Sequence, residues 1–232
     1  MRRETSNRMR FVIEDLLPPR FRDGKAFRLL ARTLFGPAVD VAADFRKRAA
    51  FLTDDEYTDF YRAWTGPHLD TDNSQACLDR IAAEIVGTSV CDVGCGTGYL
   101  LRFLRDRLPA RNLKLTGAEM LVPDPAGNRG IEFFSTRVEK LPFADRQFDT
   151  VICTHVIEHV LDYRAAIAEL RRIAARRLIV VVPMEREALY GFNLHVNFFP
   201  YPHSFQRAMM PVPPAHVCAL IGRDIYYRED VG

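Results

Sequence analysis

Val90-Cys91-Asp92-Val93-Gly94-Cys95-Gly96-Thr97-Gly98-Tyr99-Leu100-Leu101 is the stretch that decides the fold. An apolar entry ends at Asp92, glycines follow at alternate positions, and apolar residues at helical spacing run from Tyr99 to Leu108. This is a strand, a tight glycine turn and the start of a helix. Glycines packed this closely cost backbone entropy and are kept where the main chain takes positive φ or touches a ligand. An ordinary strand-to-helix turn would not need the acidic residue or its spacing to the later motifs.

A dinucleotide fingerprint, G-x-G-x-x-G, would place its third glycine at position 99, where this chain has Tyr99. That disfavours a nicotinamide-dependent oxidoreductase. The pattern Asp-x-Gly-x-Gly-x-Gly instead resembles motif I of the class I S-adenosylmethionine-dependent methyltransferases, and the resemblance runs over roughly 90–183. It implies a doubly wound, mostly parallel α/β sheet of the Rossmann-like kind, with S-adenosylmethionine as cofactor. It also implies that Asp92, Gly94, Cys95, Gly96 and Gly98 surround the methionine end of that cofactor.

The chain of 232 residues suits one large domain, or one domain with an appendage. A hydrophobic share of 48% supports a sizeable core, and a formal charge of +2 singles out no class of partner. Cys77, Cys91, Cys95, Cys153 and Cys218 include no C-x-x-C pair. They read as scattered thiols in a reducing, cytoplasmic setting, and no cysteine/histidine pairing has zinc spacing, so no metal is expected. No apolar run is long enough for a leader or a membrane span.

Residues 1–75 read as a helical appendage and 76–232 as the cofactor-binding domain. Phe27, Leu30, Ala31 and Leu34 form one helical stripe, and Val41, Phe45, Ala49 and Leu52 a second. Asp54-Asp55-Glu56 opens a third helix, Tyr57 to Trp64, with acidic residues where the dipole favours them, and Gly66-Pro67 closes it. Basic residues outnumber acidic ones in the first fifty positions. A solvated basic face is the simpler reading, and a surface for an anionic substrate or peripheral lipid head groups the sharper one.

A helix over Ser74–Val86, with Ala76, Ile81, Ile85 and Val86 apolar, feeds alternating strands and helices. Strands are expected at Ser89–Asp92, Leu113–Ala118, Ile131–Phe134, Thr150–Cys153 and Leu178–Val182, the last apolar throughout and so buried on both faces. The clearest intervening helix is Tyr163–Ala175. After Pro183 come an aromatic loop, a short helix near Ser204–Met210 and a hairpin around Gly222.

Glu119, about 27 residues beyond Asp92 at the end of the second strand, is suited to the vicinal ribose hydroxyls, because a carboxylate accepts two hydrogen bonds. The methyltransferase resemblance gives it that role, and Met120 would pack its thioether on the adenine. The same resemblance brings the backbone of Val138 to the adenine edge, although Arg137 stands where the family often has an acidic residue. Thr154 and His155 lie where the fourth strand meets the cofactor, and His155 is a candidate base. In His195-Val196-Asn197-Phe198-Phe199 the resemblance is to a His-x-x-Phe-Phe stretch that helps form an acceptor pocket. His195 is the second candidate base, with Phe198, Phe199, Tyr61 and Trp64 lining the acceptor.

The expected function is therefore methyl transfer by in-line displacement to a small-molecule acceptor. No Asn/Asp-Pro-Pro-Tyr/Phe follows the fourth strand, so nucleic acid is not the expected partner. The alternative is a methyltransferase-like protein that binds a ligand or partner without catalysis, a reading that Arg137 keeps open. Oligomeric state is not legible in the sequence.

Overall fold

The structure, a computed structural model, describes residues 17–64, 71–121, 129–191 and 193–231. The helices of the first part are α1 (Pro19–Arg22), α2 (Lys25–Phe35), α3 (Ala38–Arg48) and α4 (Asp54–Ala63). There follow α5 (Gln75–Glu84), β1 (Ser89–Val93), α6 (Tyr99–Arg107), β2 (Lys114–Glu119), β3 (Ile131–Ser135) and β4 (Phe148–Thr154). The chain ends with α7 (Tyr163–Ile173), β5 (Ala174–Pro183), α8 (Pro202–Ala208), β6 (His216–Ile221) and β7 (Asp224–Asp230). The Gly66-Pro67 helix stop lies outside the described residues.

Two compact units result. One is Met1–Leu69 with Glu185–Phe198, and the other is Asp70–Met184 with Phe199–Gly232. The Glu185–Phe198 segment thus groups with the helical residues rather than with the sheet.

The larger unit is a seven-stranded sheet in the order β3-β2-β1-β4-β5-β7-β6. The first five strands in that order pair in parallel, while β7 pairs antiparallel with both β5 and β6. Side chains of β5 alternate across the sheet, as the period of two requires. Leu178, Val180 and Val182 of β5 join Cys91, Val151 and Cys153 in the core beneath Ile167 and Leu170 of α7. Ile179 and Val181 pack on the opposite side with Val90, Ile152, Leu78 and Ile81 of α5, and Leu101 and Leu104 of α6. Burial of a large apolar side chain contributes about 1.5–3 kcal/mol, so this sandwich of helices on both faces fixes the sheet firmly.

In the smaller unit the helical stripes differ from expectation. Phe27 and Ala31 are buried, but Leu30 and Leu34 are exposed. On α3, Val39, Ala42, Ala43 and Phe45 are inward while Val41 is out. Ala76 of α5 is likewise exposed, with Cys77 and Leu78 taking its expected place. Helical period was legible, but which side a neighbour covers was not. α4 starts with a capping box: Glu56 N–H donates to the Thr53 hydroxyl and the Glu56 carboxylate accepts from Thr53 N–H at 2.8 Å.

Candidate active site

The glycine turn follows β1. Gly94, Gly96 and Gly98 all have positive φ, at 76°, 51° and 77°. Two of them serve different ends. A Cβ on Gly94 would meet Val156 Cγ2 at 2.0 Å, so that glycine lets the turn pack on the segment after β4. A Cβ on Gly96 would meet nothing within 4 Å among the described residues, so that glycine leaves space in front of the turn. The turn is anchored to β2 through Gly94 N–H and Cys95 N–H, which donate to the Ala118 carbonyl at 2.7 and 3.3 Å.

Glu119, at the end of β2, is tied to the same turn. One carboxylate oxygen accepts Gly96 N–H and the other accepts Met120 N–H, each at 2.8 Å. Each oxygen retains a second lone pair for a ligand hydroxyl. Asp92 is buried, and its Oδ1 has no hydrogen-bond partner among the described residues. Burial, with the Glu119 carboxylate as a second cause, pushes the Asp92 carboxyl up to about 8. An orphaned buried carboxyl oxygen, an open glycine and a half-satisfied carboxylate are a donor and acceptor set that fits an amino-acid-bearing nucleoside such as S-adenosylmethionine.

Thr154 ends β4. Its hydroxyl accepts Asn73 Nδ2–H at 3.0 Å, and the buried Asn73 Oδ1 has no hydrogen-bond partner among the described residues. Asn73 carries no sequence signal beyond preceding the Ser74 cap of α5, and the sequence reading missed it. His155 follows with φ +57°, rare for a residue with a side chain and typical of strained functional positions. Its Nδ1 lies 3.4 Å from Glu158 and its Nε2 3.9 Å from Asp224, the first residue of β7. Burial pushes the imidazole down, but Glu158, Asp224 and Asp72 outweigh it and raise His155 above its ordinary value.

Val138 is buried in the core. Arg137 pairs with Glu139 at 3.0 Å, so the carboxylate next to Val138 is engaged with its own neighbour. Burial pushes the Cys91, Cys95 and Cys153 thiols well above their ordinary value, which makes them inert packing groups.

The acceptor candidates divide. Tyr61 and Trp64 pack against the cluster of Phe45, Tyr57 and Leu194 in the smaller unit, and Tyr61 stacks on Tyr57 with centroids 5.1 Å apart. His195 and Phe198 lie in the same unit, their ring centroids 6.5 Å apart. Phe199 does not join them. It sits in the core of the larger unit, edge-on to Phe205 at 4.9 Å, because the chain returns there to a bridge with Met184.

Arg46 organises the loop. Its guanidinium donates to the carbonyls of His195 at 2.9 Å, Ala188 at 3.2 Å and Asn193 at 3.1 Å, and to Asn193 Oδ1 at 2.7 Å. Burial pulls this guanidinium below its ordinary value, against the raising influence of Glu185 and Glu187. Arg22 is also buried and donates to the Glu187 carbonyl. Two of the basic residues expected on a solvated face thus hold the loop instead.

An open, mostly parallel sheet with a glycine turn and an acidic residue at the ends of its first two strands is the arrangement of the class I S-adenosylmethionine-dependent methyltransferases. The pattern of a family described as a methyltransferase domain matches residues 21–226, and the chain belongs to that family. It is 33% identical over 93 residues to the tRNA U34 carboxymethyltransferase of Campylobacter curvus, a match covering 37% of this chain and 30% of that one. It is 32% identical over 108 residues to the "Probable tocopherol O-methyltransferase, chloroplastic" of Oryza sativa subsp. japonica, covering 43% and 30%. The chain thus matches 30% of the length of either relative. A SAM-dependent methyltransferase from Aquifex aeolicus shares the fold at 16% identity and a TM-score of 0.50, covering 65% of this chain and 88% of that one. Among the described residues no helix is long and apolar enough to cross a membrane.

Proposed function

We propose that this protein transfers a methyl group from S-adenosylmethionine to a small-molecule acceptor, and that the smaller unit reads that acceptor. One observation carries the reading: α4 and the Glu185–Phe198 loop, far apart in sequence, belong to one compact unit, where Leu194 and Val196 of the loop pack in a cluster with Phe45, Tyr57, Tyr61 and Trp64. An apolar, aromatic surface with a few placed polar groups is the usual make-up of a small-molecule site. The tocopherol relative supports such an acceptor, and the tRNA relative names the alternative to be tested.

S-adenosylmethionine, when bound, supplies a methyl carbon made electrophilic by its sulfonium. Glu119 would accept the ribose hydroxyls while keeping its bond to Gly96 N–H. Asp92 Oδ1 and Asn73 Oδ1 would supply acceptors for the amino-acid end. Met120 and the backbone of Val138 would hold the adenine. Tyr61, Trp64 and Phe198 orient the acceptor and exclude water, which is most of what an enzyme must do for a displacement whose electrophile arrives activated.

The test is transfer of labelled methyl from S-adenosylmethionine to a metabolite extract and, separately, to bulk tRNA. Label in small molecules, falling with Tyr61→Ala while calorimetry shows cofactor binding little changed, is the expected result. Label in tRNA alone would replace the small-molecule reading. Cofactor binding with no label in either would leave a binding protein.

A further inference from the structure

The main-chain hydrogen bonds of the β6–β7 hairpin fix which way each residue of β6 points. Met184 N–H donates to the Arg223 carbonyl and Val231 N–H to the Arg176 carbonyl, so the odd-numbered residues of β7 present their main chain to β5. The even-numbered residues then present theirs to β6, as Asp230 N–H does in donating to the Ala215 carbonyl. Val217 is paired with Arg228, Ala219 with Tyr226 and Ile221 with Asp224, so these three face β7 while the main chains of Cys218 and Leu220 point outward. β6 is the last strand of the sheet, with no strand beyond it among the described residues. We propose that this edge docks a second copy of the chain, β6 against β6, antiparallel about Ala219.

An open edge strand invites pairing with another chain, and proteins blunt such edges with charges, prolines or bulges. His216-Val217-Cys218-Ala219-Leu220-Ile221 contains no Asp, Glu, Lys, Arg or Pro, and its register on β7 runs without a shift. The opposite edge, β3, carries the exposed Glu132. Ala219 is exposed, and Leu220 is 48% exposed. Cys218 packs on the apolar layer that holds Ile167 and Leu170 of α7, and Ile221 on the layer that holds Leu78 and Ile81 of α5. Both apolar layers of the sheet therefore run out to this edge.

The register names the occupant. The outward-pointing residues are two apart, so a two-fold axis at Ala219 sets Cys218 of each copy opposite Leu220 of the other. Each such pair exchanges two main-chain hydrogen bonds, and every outward N–H and C=O of the two residues finds its partner. Ala219 then meets itself in the closer, non-hydrogen-bonded pairing, where Cα atoms approach to about 4.5 Å and a small side chain fits. Val217 lies opposite Ile221, apolar against apolar, and no like charges meet across the axis. A strand from another protein would need this spacing independently, whereas a second copy supplies it by symmetry.

The experiment uses the full chain. Sedimentation velocity over a concentration series should show wild type associating to a dimer. Leu220→Pro removes an outward N–H that the hairpin does not use, and Ala219→Lys sets two ammonium groups opposite each other. Each should raise the dimer dissociation constant by about tenfold or more while the circular dichroism spectrum stays native. Cysteines placed in a Cys218→Ser background read the register. Ala219→Cys should give a disulfide-linked dimer on oxidation with copper phenanthroline, because a Cα separation of about 4.5 Å is within bridging range. Leu220→Cys should not, since its counterpart lies diagonally across the axis, beyond the limit of about 7 Å.

A wild type that stays monomeric at every concentration overturns the proposal, and binding of a foreign strand to the edge would not restore it. A dimer unaffected by Leu220→Pro and Ala219→Lys, both folded, overturns it as well. Should either variant fail to fold, the two cysteine variants still decide. Cross-linking of Leu220→Cys as readily as Ala219→Cys, or of neither, overturns the pairing.

Discussion

Glu119 accepts the main-chain amide of Gly96 at 2.8 Å, so the acidic residue closing β2 is tied to the glycine turn that follows β1. Removing the carboxylate frees two backbone amides and, on the proposed function, withdraws the acceptors offered to the ribose.

Glu119→Ala should weaken binding of S-adenosylmethionine or its demethylated product by about 1.5–3 kcal/mol, the range for hydrogen bonds to a charged group. Titration calorimetry measures it directly. Equal affinities in wild type and variant would move the ribose elsewhere.

The two glycines of the turn should separate stability from binding. Gly94→Ala drives a methyl into Val156 Cγ2 at 2.0 Å and should cost about 1–3 kcal/mol, visible as a lower Tm. A Cβ at Gly96 meets no atom within 4 Å among the described residues, and Gly96→Val should keep a native circular dichroism spectrum while cofactor binding vanishes. Its positive φ adds a strain of about 1–2 kcal/mol, small enough for the fold to survive. A Gly96→Val protein that binds normally would show that the ligand does not approach the turn.

Asp92 makes the folded chain sensitive to pH. Its carboxyl titrates near 8 in the fold against an ordinary value of 3.8, so the folded state binds that proton more tightly throughout the interval between them. This contribution to stability is complete below the unfolded value and is lost as pH rises through about 8. Thermal melts across that interval should show wild type losing stability relative to Asp92→Asn. Parallel pH profiles for the two proteins would contradict the raised carboxyl.

Arg46 should matter to the loop rather than to the cofactor. Arg46→Met leaves the carbonyls of Ala188, Asn193 and His195 without their donor, at about 1–3 kcal/mol for buried polar groups left unmatched. Residues 185–198 should become cleavable by limited proteolysis, with cofactor affinity retained. A loop that stays protected would mean that the aromatic cluster alone holds it.

Much of the larger unit was legible because its signals are local. The glycine turn, the alternating strands and the apolar run of β5 each declare themselves within a few residues, and all five parallel strands fall within two residues of expectation except that β5 begins at Ala174 rather than Leu178. What was not legible depends on partners remote in sequence. Arg46 binds a carbonyl 149 positions away, and nothing in its helix distinguishes it from the exposed Lys47 and Arg48 beside it. Glu185 gave no signal until the loop folded back over ten residues to bring His195 to it. Phe198 and Phe199 are chemically identical, and only tertiary structure sends one to each unit.

The bridge between Met184 and Phe199 pins together the two ends of residues 185–198. The excursion therefore leaves and rejoins the larger unit at one place. Closure entropy grows with the logarithm of length, so doubling such a loop costs about 0.6 kcal/mol. Segments of other lengths and compositions could be exchanged at that joint without altering strand register. The part proposed to read the acceptor can thus change in length without changing the strands around the glycine turn.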